Sequence, residues 1–197
     1  IYSEIEFDES FKPKDNFNVS GLVKETVINI KNEYLIKDIN FNFFYEKQSL
    51  NLEDLSGKLD GLQIYEGKID YNKDKEDHNI TAVFKNKINS SGSNSKKIFS
   101  MIGFNTNNFS NLSLKGSFTK TFNLKLDKTL AIKKFDVNGT GSLTHLTTDL
   151  KEKINNRLLK ERIEKIHLKD LNFNLDYKNK EIDKFSIFGQ IKTNEEF

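Results

Sequence analysis

The sequence predicts an all-β protein: a long, curved antiparallel meander sheet with one or two short helices. Apolar and polar residues alternate through most of the chain, which is the pattern of half-buried strands. The chain contains a single proline, Pro13, and its turn-like segments consist of Asn, Asp, Lys and Gly, as in short connections between antiparallel strands. Glycines recur inside the strand-like segments, where they favour bulges or bends.

Twelve segments carry the alternating pattern. They are residues 4–7, 17–22, 25–31, 38–45, 50–59, 63–71, 79–87, 111–118, 121–126, 131–143, 166–177 and 184–192. The alternation assigns one apolar, inward face to the sheet. We expect that face to include Ile39, Phe41, Phe43, Tyr45, Ile69, Leu112, Leu114, Phe118, Leu124, Leu171, Phe173 and Leu175.

Two approximate repeats, at residues 36–71 and 168–192, support the same fold. Residues 36–45 read IKDINFNFFY and residues 168–177 read LKDLNFNLDY, with the inward apolar positions matched. A glycine-containing strand follows each copy. We therefore predict that residues 1–197 form a single β-rich unit. Because the chain begins at Ile1 without an initiator methionine, we expect it to be a segment of a longer protein.

Two segments predict helices. A polar loop at residues 89–97 leads into the apolar run at residues 98–104, IFSMIGF. This run predicts a helical turn, over residues 96–104, packed on one end of the sheet. In residues 149–162, Leu150, Ile154 and Leu158 recur at every fourth position, and Asp149 with Glu152 has the spacing of a capping box. These features predict a second helix.

Composition excludes several functional classes. The chain is 36% hydrophobic and 30% charged, which is typical of globular proteins. Its 31 basic and 29 acidic residues are spread along the chain, so we expect no nucleic-acid partner. Cysteine is absent, which excludes disulfides and thiolate chemistry. No apolar run of the sequence approaches the ~18 residues of a transmembrane helix.

Residues with catalytic spacing are missing from the sequence. His78, His145 and His167 have no second histidine or carboxylate at metal-ligand spacing. The sequence contains no nucleophile elbow, phosphate loop or dinucleotide-binding glycine motif. We therefore expect neither an enzyme nor a metal or other cofactor.

Part of the chain resembles a known family. Residues 95–118, SKKIFSMIGFNTNNFSNLSLKGSF, resemble a passage of AsmA-like bacterial envelope proteins, in which a short helical turn precedes a strand. The matching positions are Ile98, Phe99, Met101, Ile102 and Gly103 in the turn and Leu112, Leu114 and Gly116 in the strand. Residues 52–71 are similar to the family's recurrent strand followed by a glycine-containing return strand.

The resemblance implies a taco-like sheet with an open hydrophobic groove, lined by the inward residues named above. In such a protein the groove shields acyl chains, and phospholipid is the partner that moves between inner and outer membranes. The resemblance also implies a periplasmic location, an inner-membrane anchor outside this segment and contacts with other envelope proteins.

The residues alone leave a second interpretation open. The same inward face would be buried in a closed β-sandwich, where two sheets pack against each other. The chain would then be a structural or adhesive β domain that binds protein or glycan through loops such as residues 89–97.

Overall fold

The structure is a computed structural model of the chain. It describes residues 1–6, 8–12, 14, 17–30, 34–59, 61–101, 105–155, 161–178 and 181–194. The strands are β1 (Tyr2–Glu4), β2 (Asn18–Ile30), β3 (Tyr34–Glu46), β4 (Ser49–Leu59), β5 (Leu62–Asp74), β6 (Asp77–Ser91), β7 (Phe109–Leu126), β8 (Ile132–Ile154), β9 (Ile163–Lys178) and β10 (Glu181–Thr193). The helix α1 (Ser93–Met101) lies between β6 and β7.

The strands form one open antiparallel meander. Each strand pairs with the next one in the chain, so the order across the sheet is the order of the sequence. In the described part of the chain, extensive packing joins each strand to its sheet neighbours and α1 to β6 and β7. The predicted open meander is therefore confirmed, and the alternative of a closed β-sandwich is wrong.

The register assigns the side chains to two chemically different faces. One row of opposed residues crosses β6 to β9 through Ala82, Phe122, Val137 and Tyr177. The neighbouring row, which points to the other side, crosses Thr81, Asn123, Asp136 and Lys178. Because opposed residues of paired strands share a face, the sheet has an apolar face and a polar face. The helix α1 lies on the apolar face, against Ile88 and Leu114.

Two predicted strand breaks are wrong. Residues 18–30, which span the gap between the segments 17–22 and 25–31, form the single strand β2, and the segments 111–118 and 121–126 lie in the single strand β7. In β2 the apparent break is a register shift around Glu25, whose φ is 53°. In β7 the polar run between Phe118 and Phe122 keeps the pairing with β6 without interruption.

The predicted helix at residues 149–162 is wrong over the part that the structure describes. The strand β8 continues to Ile154, and Asp149 pairs with Lys165 of β9. A spacing of four residues puts Leu150 and Ile154 on one face of a strand as well as of a helix, so the spacing did not discriminate. The remaining candidate position, Leu158, lies outside the described residues.

The predicted loop at residues 89–97 is also wrong. The strand β6 runs to Ser91, and α1 begins at Ser93. The predicted helical turn is thus present but begins earlier than residue 96, while residues 102–104 lie outside the described residues. Ser90 and Ser95, two of the polar residues that suggested a loop, are buried between helix and sheet.

The two repeat copies have the same local structure. Asp38 in β3 and Asp170 in β9 have φ values of 52° and 51°, and each lies where the register with a neighbouring strand shifts. Aspartate tolerates this left-handed conformation better than most residues, so each copy contains a bulge. Phe41 and Phe173 follow three residues later, and both are half-buried.

The single layer leaves a large surface exposed. The solvent-accessible area is 13664 Å², whereas a compact monomer of 22.9 kDa would expose roughly 9600 Å². The excess is about 4000 Å² by the same scaling. An open sheet without a covering layer accounts for this excess.

Candidate functional site

The helix α1 covers one end of the apolar face. Ile98 of α1 packs with Ile88, Leu112 and Leu114 of the sheet in a cluster of buried side chains. The Ser95 hydroxyl donates a hydrogen bond to the Ser90 hydroxyl at 3.1 Å. This contact fixes the first turn of the helix to β6, so this end of the face is sealed.

The rest of the apolar face forms the candidate site. We name as the open floor a set of half-buried side chains that lie outside the cluster beneath α1. The open floor consists of Phe41, Phe43, Tyr45, Leu52, Ile69, Phe84, Phe122, Leu124, Phe135, Val137, Phe173, Leu175 and Tyr177. It extends from β3 to β9, across six strand spacings of about 4.8 Å. The floor is therefore roughly 29 Å wide.

Aromatic rings join four strands in the middle of the open floor. The ring of Phe122 lies 5.9 Å from that of Phe84 and 6.4 Å from that of Phe135, measured between centroids. The ring of Phe135 lies 6.0 Å from that of Tyr177. These distances are typical of favourable aromatic pairs. The four rings form a continuous apolar strip from β6 to β9.

A glycine allows large side chains to meet across an intervening strand. Gly141 lies on β8 between Phe118 of β7 and Phe173 of β9, whose ring centroids are 6.3 Å apart. A Cβ atom at Gly141 would lie 2.4 Å from the Cβ of Phe118, which is too close for any side chain. Because Gly141 has no side chain, the rings of Phe118 and Phe173 approach each other across β8, and the apolar surface of the open floor is continuous there.

The structure places the twelve predicted site residues on the apolar face. Leu112 and Leu114 belong to the sealed cluster, and Phe118 packs against it. Ile39 and Leu171 are 5% and 4% exposed. They are therefore buried by neighbouring residues and are not part of the open floor. The remaining seven belong to the open floor: Phe41, Phe43, Tyr45, Ile69, Leu124, Phe173 and Leu175.

Lys120 is the charged residue that interrupts the open floor. It opposes Phe84 of β6 and Gly139 of β8. Its ammonium lies 5.2 Å from the ring centroid of Phe118 and 5.5 Å from that of Phe122, within cation–π range. Burial among these residues lowers the pKa of Lys120 below its ordinary value.

The polar face carries the ion pairs. Lys58 contacts Asp38 at 2.9 Å, and Lys134 contacts Asp136 at 2.8 Å. Hydrogen bonds from Lys125 and Lys133 lower the pKa of Asp77 below its ordinary value. Pairs between exposed side chains, such as Lys58 with Asp38, contribute little to stability.

Sequence reasoning missed part of the site. Phe84, Phe122 and Phe135 lie in the alternating segments 79–87, 121–126 and 131–143 but are not among the twelve expected site residues. Lys120 lies in the predicted break between the segments 111–118 and 121–126, so the pattern assigned it to neither face. The available signal was the even spacing of Phe118 and Phe122, which places Lys120 on the same face as both rings if the strand is continuous.

Comparisons with known proteins leave the geometry as the basis for a functional proposal. No family model, curated protein or solved structure matches the chain. Among the described residues, no group of three or more histidine and carboxylate side chains is arranged to hold a metal ion. No described helix combines the length and the apolar character needed to cross a membrane.

Proposed function

We propose that the open floor binds the acyl chains of lipids. The observation that carries the proposal is a continuous apolar face, extending from β3 to β9, that only α1 covers among the described elements. Soluble monomers rarely expose contiguous apolar patches larger than a few hundred Å². An uncovered face of this extent favours an apolar ligand.

The free energy of acyl transfer is large enough to explain such a floor. Moving a 16-carbon chain from hydrocarbon into water costs about 13 kcal/mol, at ~0.8 kcal/mol per CH₂. Apolar surroundings along the path of the chain remove much of this cost. Binding of this kind needs no covalent step. The lipid head group stays in water because no described element covers the open floor.

In the wider proposal, the floor belongs to an AsmA-like envelope protein. It is one section of a path along which phospholipid moves through the periplasm between inner and outer membranes. The resemblance of residues 95–118 and 52–71 to that family supports this part of the proposal. The anchor in the inner membrane and contacts with other envelope proteins would lie in segments outside residues 1–197.

Neighbouring residues on opposite faces of β9 provide a matched test. Leu175 is half-buried on the open floor, and Asn174 is exposed on the polar face. Leu175→Glu places a carboxylate on the floor, where a bound acyl chain would remove water from the unpaired charge at a cost of several kcal/mol. Asn174→Glu adds the same charge to the hydrated face.

The measurement is the amount of phospholipid that co-purifies with the chain from a bacterial periplasm, extracted and quantified by mass spectrometry. We expect lipid with the unchanged chain and with Asn174→Glu, and little with Leu175→Glu. Circular dichroism checks that both variants keep their strand content. Equal lipid in the two variants, or no lipid with the unchanged chain, would contradict the proposal.

A further inference from the structure

We infer that the Lys120 ammonium binds the anionic oxygens, phosphate or carboxylate, of a long-chain amphiphile whose tail lies on the open floor. This inference rests on the proposed function and adds a class of ligand to it. The floor would not take every apolar molecule equally. It would favour amphiphiles that carry a negative charge.

The surroundings of Lys120 provide no counter-charge. The strand register places eight positions around Lys120 on the apolar face, and all of them are uncharged. They are Phe84, Gly139, Phe118, Phe122, Ala82, Asn86, Val137 and Gly141. Within the described residues, no ion pair involves Lys120. Its ammonium is held by the two phenylalanine rings of its own strand.

Lysines on the polar face contrast with this arrangement. Lys125, on the same strand, contacts Asp77 at 2.8 Å, and Lys85 of the adjacent strand pairs with Glu66. On that face the protein supplies carboxylates as partners. A partly desolvated ammonium without such a partner is stabilised by an anionic ligand through charge-assisted hydrogen bonds.

The neighbouring polar side chain does not compete for the anion. Asn86 lies diagonally opposite Lys120, and its Nδ2 donates hydrogen bonds to the carbonyl oxygens of Phe84 at 3.1 Å and of Phe118 at 3.4 Å. The amide is thus oriented by the backbone and is 1% exposed. Asn86 thus leaves the Lys120 ammonium as the cationic donor for an anionic group on this part of the floor.

The floor beside Lys120 has room for a tail. From Lys120 to the end of β7 at Leu126 the strand extends six residues, or about 20 Å. Phe122 and Leu124 provide the apolar surface along this direction. Because the floor is open, the anionic group keeps water on one side while the tail contacts the sheet.

Displacement of a neutral fluorescent dye, N-phenyl-1-naphthylamine, measures binding to the full chain. The competitors are dodecyl phosphate, dodecanoate and dodecanol, each below its micelle concentration, and inorganic phosphate. The variants are Lys120→Met, which keeps an apolar stem, and Lys120→Arg, which keeps the charge. Lys115→Met is the matched control because Lys115 is exposed on the polar face of the same strand.

We expect dodecyl phosphate or dodecanoate to bind Lys120→Met at least about tenfold more weakly than the unchanged chain, since a charged hydrogen bond is lost. Dodecanol should bind both equally. Lys120→Arg and Lys115→Met should resemble the unchanged chain. The stronger of the two anionic competitors identifies the group as phosphate or carboxylate.

Three results would overturn the inference. If Lys115→Met weakened the binding of the anionic competitors as much as Lys120→Met does, the effect would be one of general charge. If the ratio of anion binding to dodecanol binding were the same in Lys120→Met as in the unchanged chain, Lys120 would contact no ligand. Displacement by inorganic phosphate as effective as by dodecyl phosphate would mean an ion site without a tail. Dodecanol displacement with no role for Lys120 would leave the proposed function intact, whereas failure of dye and dodecanol to bind would refute both.

Discussion

Replacing two leucines of β7 by alanine tests where the sheet is covered. Leu114 and Leu124 belong to the same strand and the same face. Leu114 lies beneath α1 and is 3% exposed, whereas Leu124 is half-buried on the open floor. The two substitutions remove the same atoms, so a difference between them reports on the surroundings.

The expected magnitudes differ because only one site becomes a cavity. Leu114→Ala leaves a void between Ile88, Ile98 and Leu112, and buried leucine truncations of this kind cost about 2–5 kcal/mol. Leu124→Ala loses part of the transfer free energy of a leucine side chain and leaves no enclosed void. Its cost is about 1 kcal/mol.

Urea denaturation followed by circular dichroism measures both free energies of unfolding. The slope of free energy against urea should stay constant, which shows that the substitutions act on the folded state. We expect Leu114→Ala to be the less stable variant by at least about 1 kcal/mol. Equal losses at the two positions would refute the assignment of Leu124 to an uncovered floor.

Three further predictions concern the repeat, the glycines and a turn. Phe41→Ala and Phe173→Ala should each lower the free energy of unfolding in urea by a similar amount, about 1–2 kcal/mol, because both are half-buried in equivalent positions; a loss at one copy alone would contradict their equivalence. Gly141→Ala should lower the free energy of unfolding by about 1–3 kcal/mol in the same assay, because the added Cβ meets Phe118. Gly139→Ala should leave the free energy of unfolding unchanged, because its Cβ would lie 3.8 Å from the nearest neighbouring atom. A larger loss for Gly139→Ala than for Gly141→Ala would contradict the packing. The carboxylate of Asp127 accepts hydrogen bonds from the Thr129 hydroxyl, the Thr129 amide and the Ala131 amide, which lower its pKa. The ionised carboxylate therefore stabilises the folded state above the unfolded pKa of about 3.9, and this stabilisation is lost as the pH falls through the lower folded pKa. Asp127→Asn keeps an acceptor oxygen, so its stability should fall less between pH 7 and pH 3 in thermal unfolding, and an equal fall in both proteins would show that Asp127 does not contribute.

The face of each strand could be predicted from the sequence because a period of two has one structural solution when one face is apolar. Phe41, Phe43 and Tyr45 all lie on the predicted face. Leu171 and Phe173 also lie on the predicted face. The repeat supported that prediction because it matches their positions with those of Ile39 and Phe41. Local alternation is set by the backbone pleat, so it needs no knowledge of the remaining chain.

Strand ends and helices depended on contacts that local patterns do not contain. Asp149 and Ile154 continue β8 because residues of β9 pair with them, although their spacing also fits a helix. The polar run that includes Lys120 continues β7 because β6 supplies pairing partners. Tertiary pairing overrode local propensity at these positions.

The alternation of residues could not decide whether the apolar face is covered, and only the family resemblance implied an open groove. Alternation at Phe43 or Phe122 is the same whether the opposing layer is another sheet or a ligand. The number of layers depends on whether the chain folds back on itself. Here the order of strands follows the sequence through the sheet, so none of the described strands returns to cover the floor.

Site-specific photo-crosslinking tests most directly whether the open floor holds acyl chains. A photoreactive phenylalanine analogue at position 43 lies on the floor, and one at position 42 lies on the exposed polar face. We expect the analogue at position 43 to trap phospholipid, detected by mass spectrometry of the crosslinked peptide, and the analogue at position 42 to trap none. Equal labelling at the two positions, or no labelling at position 43 of a folded protein, would contradict the account.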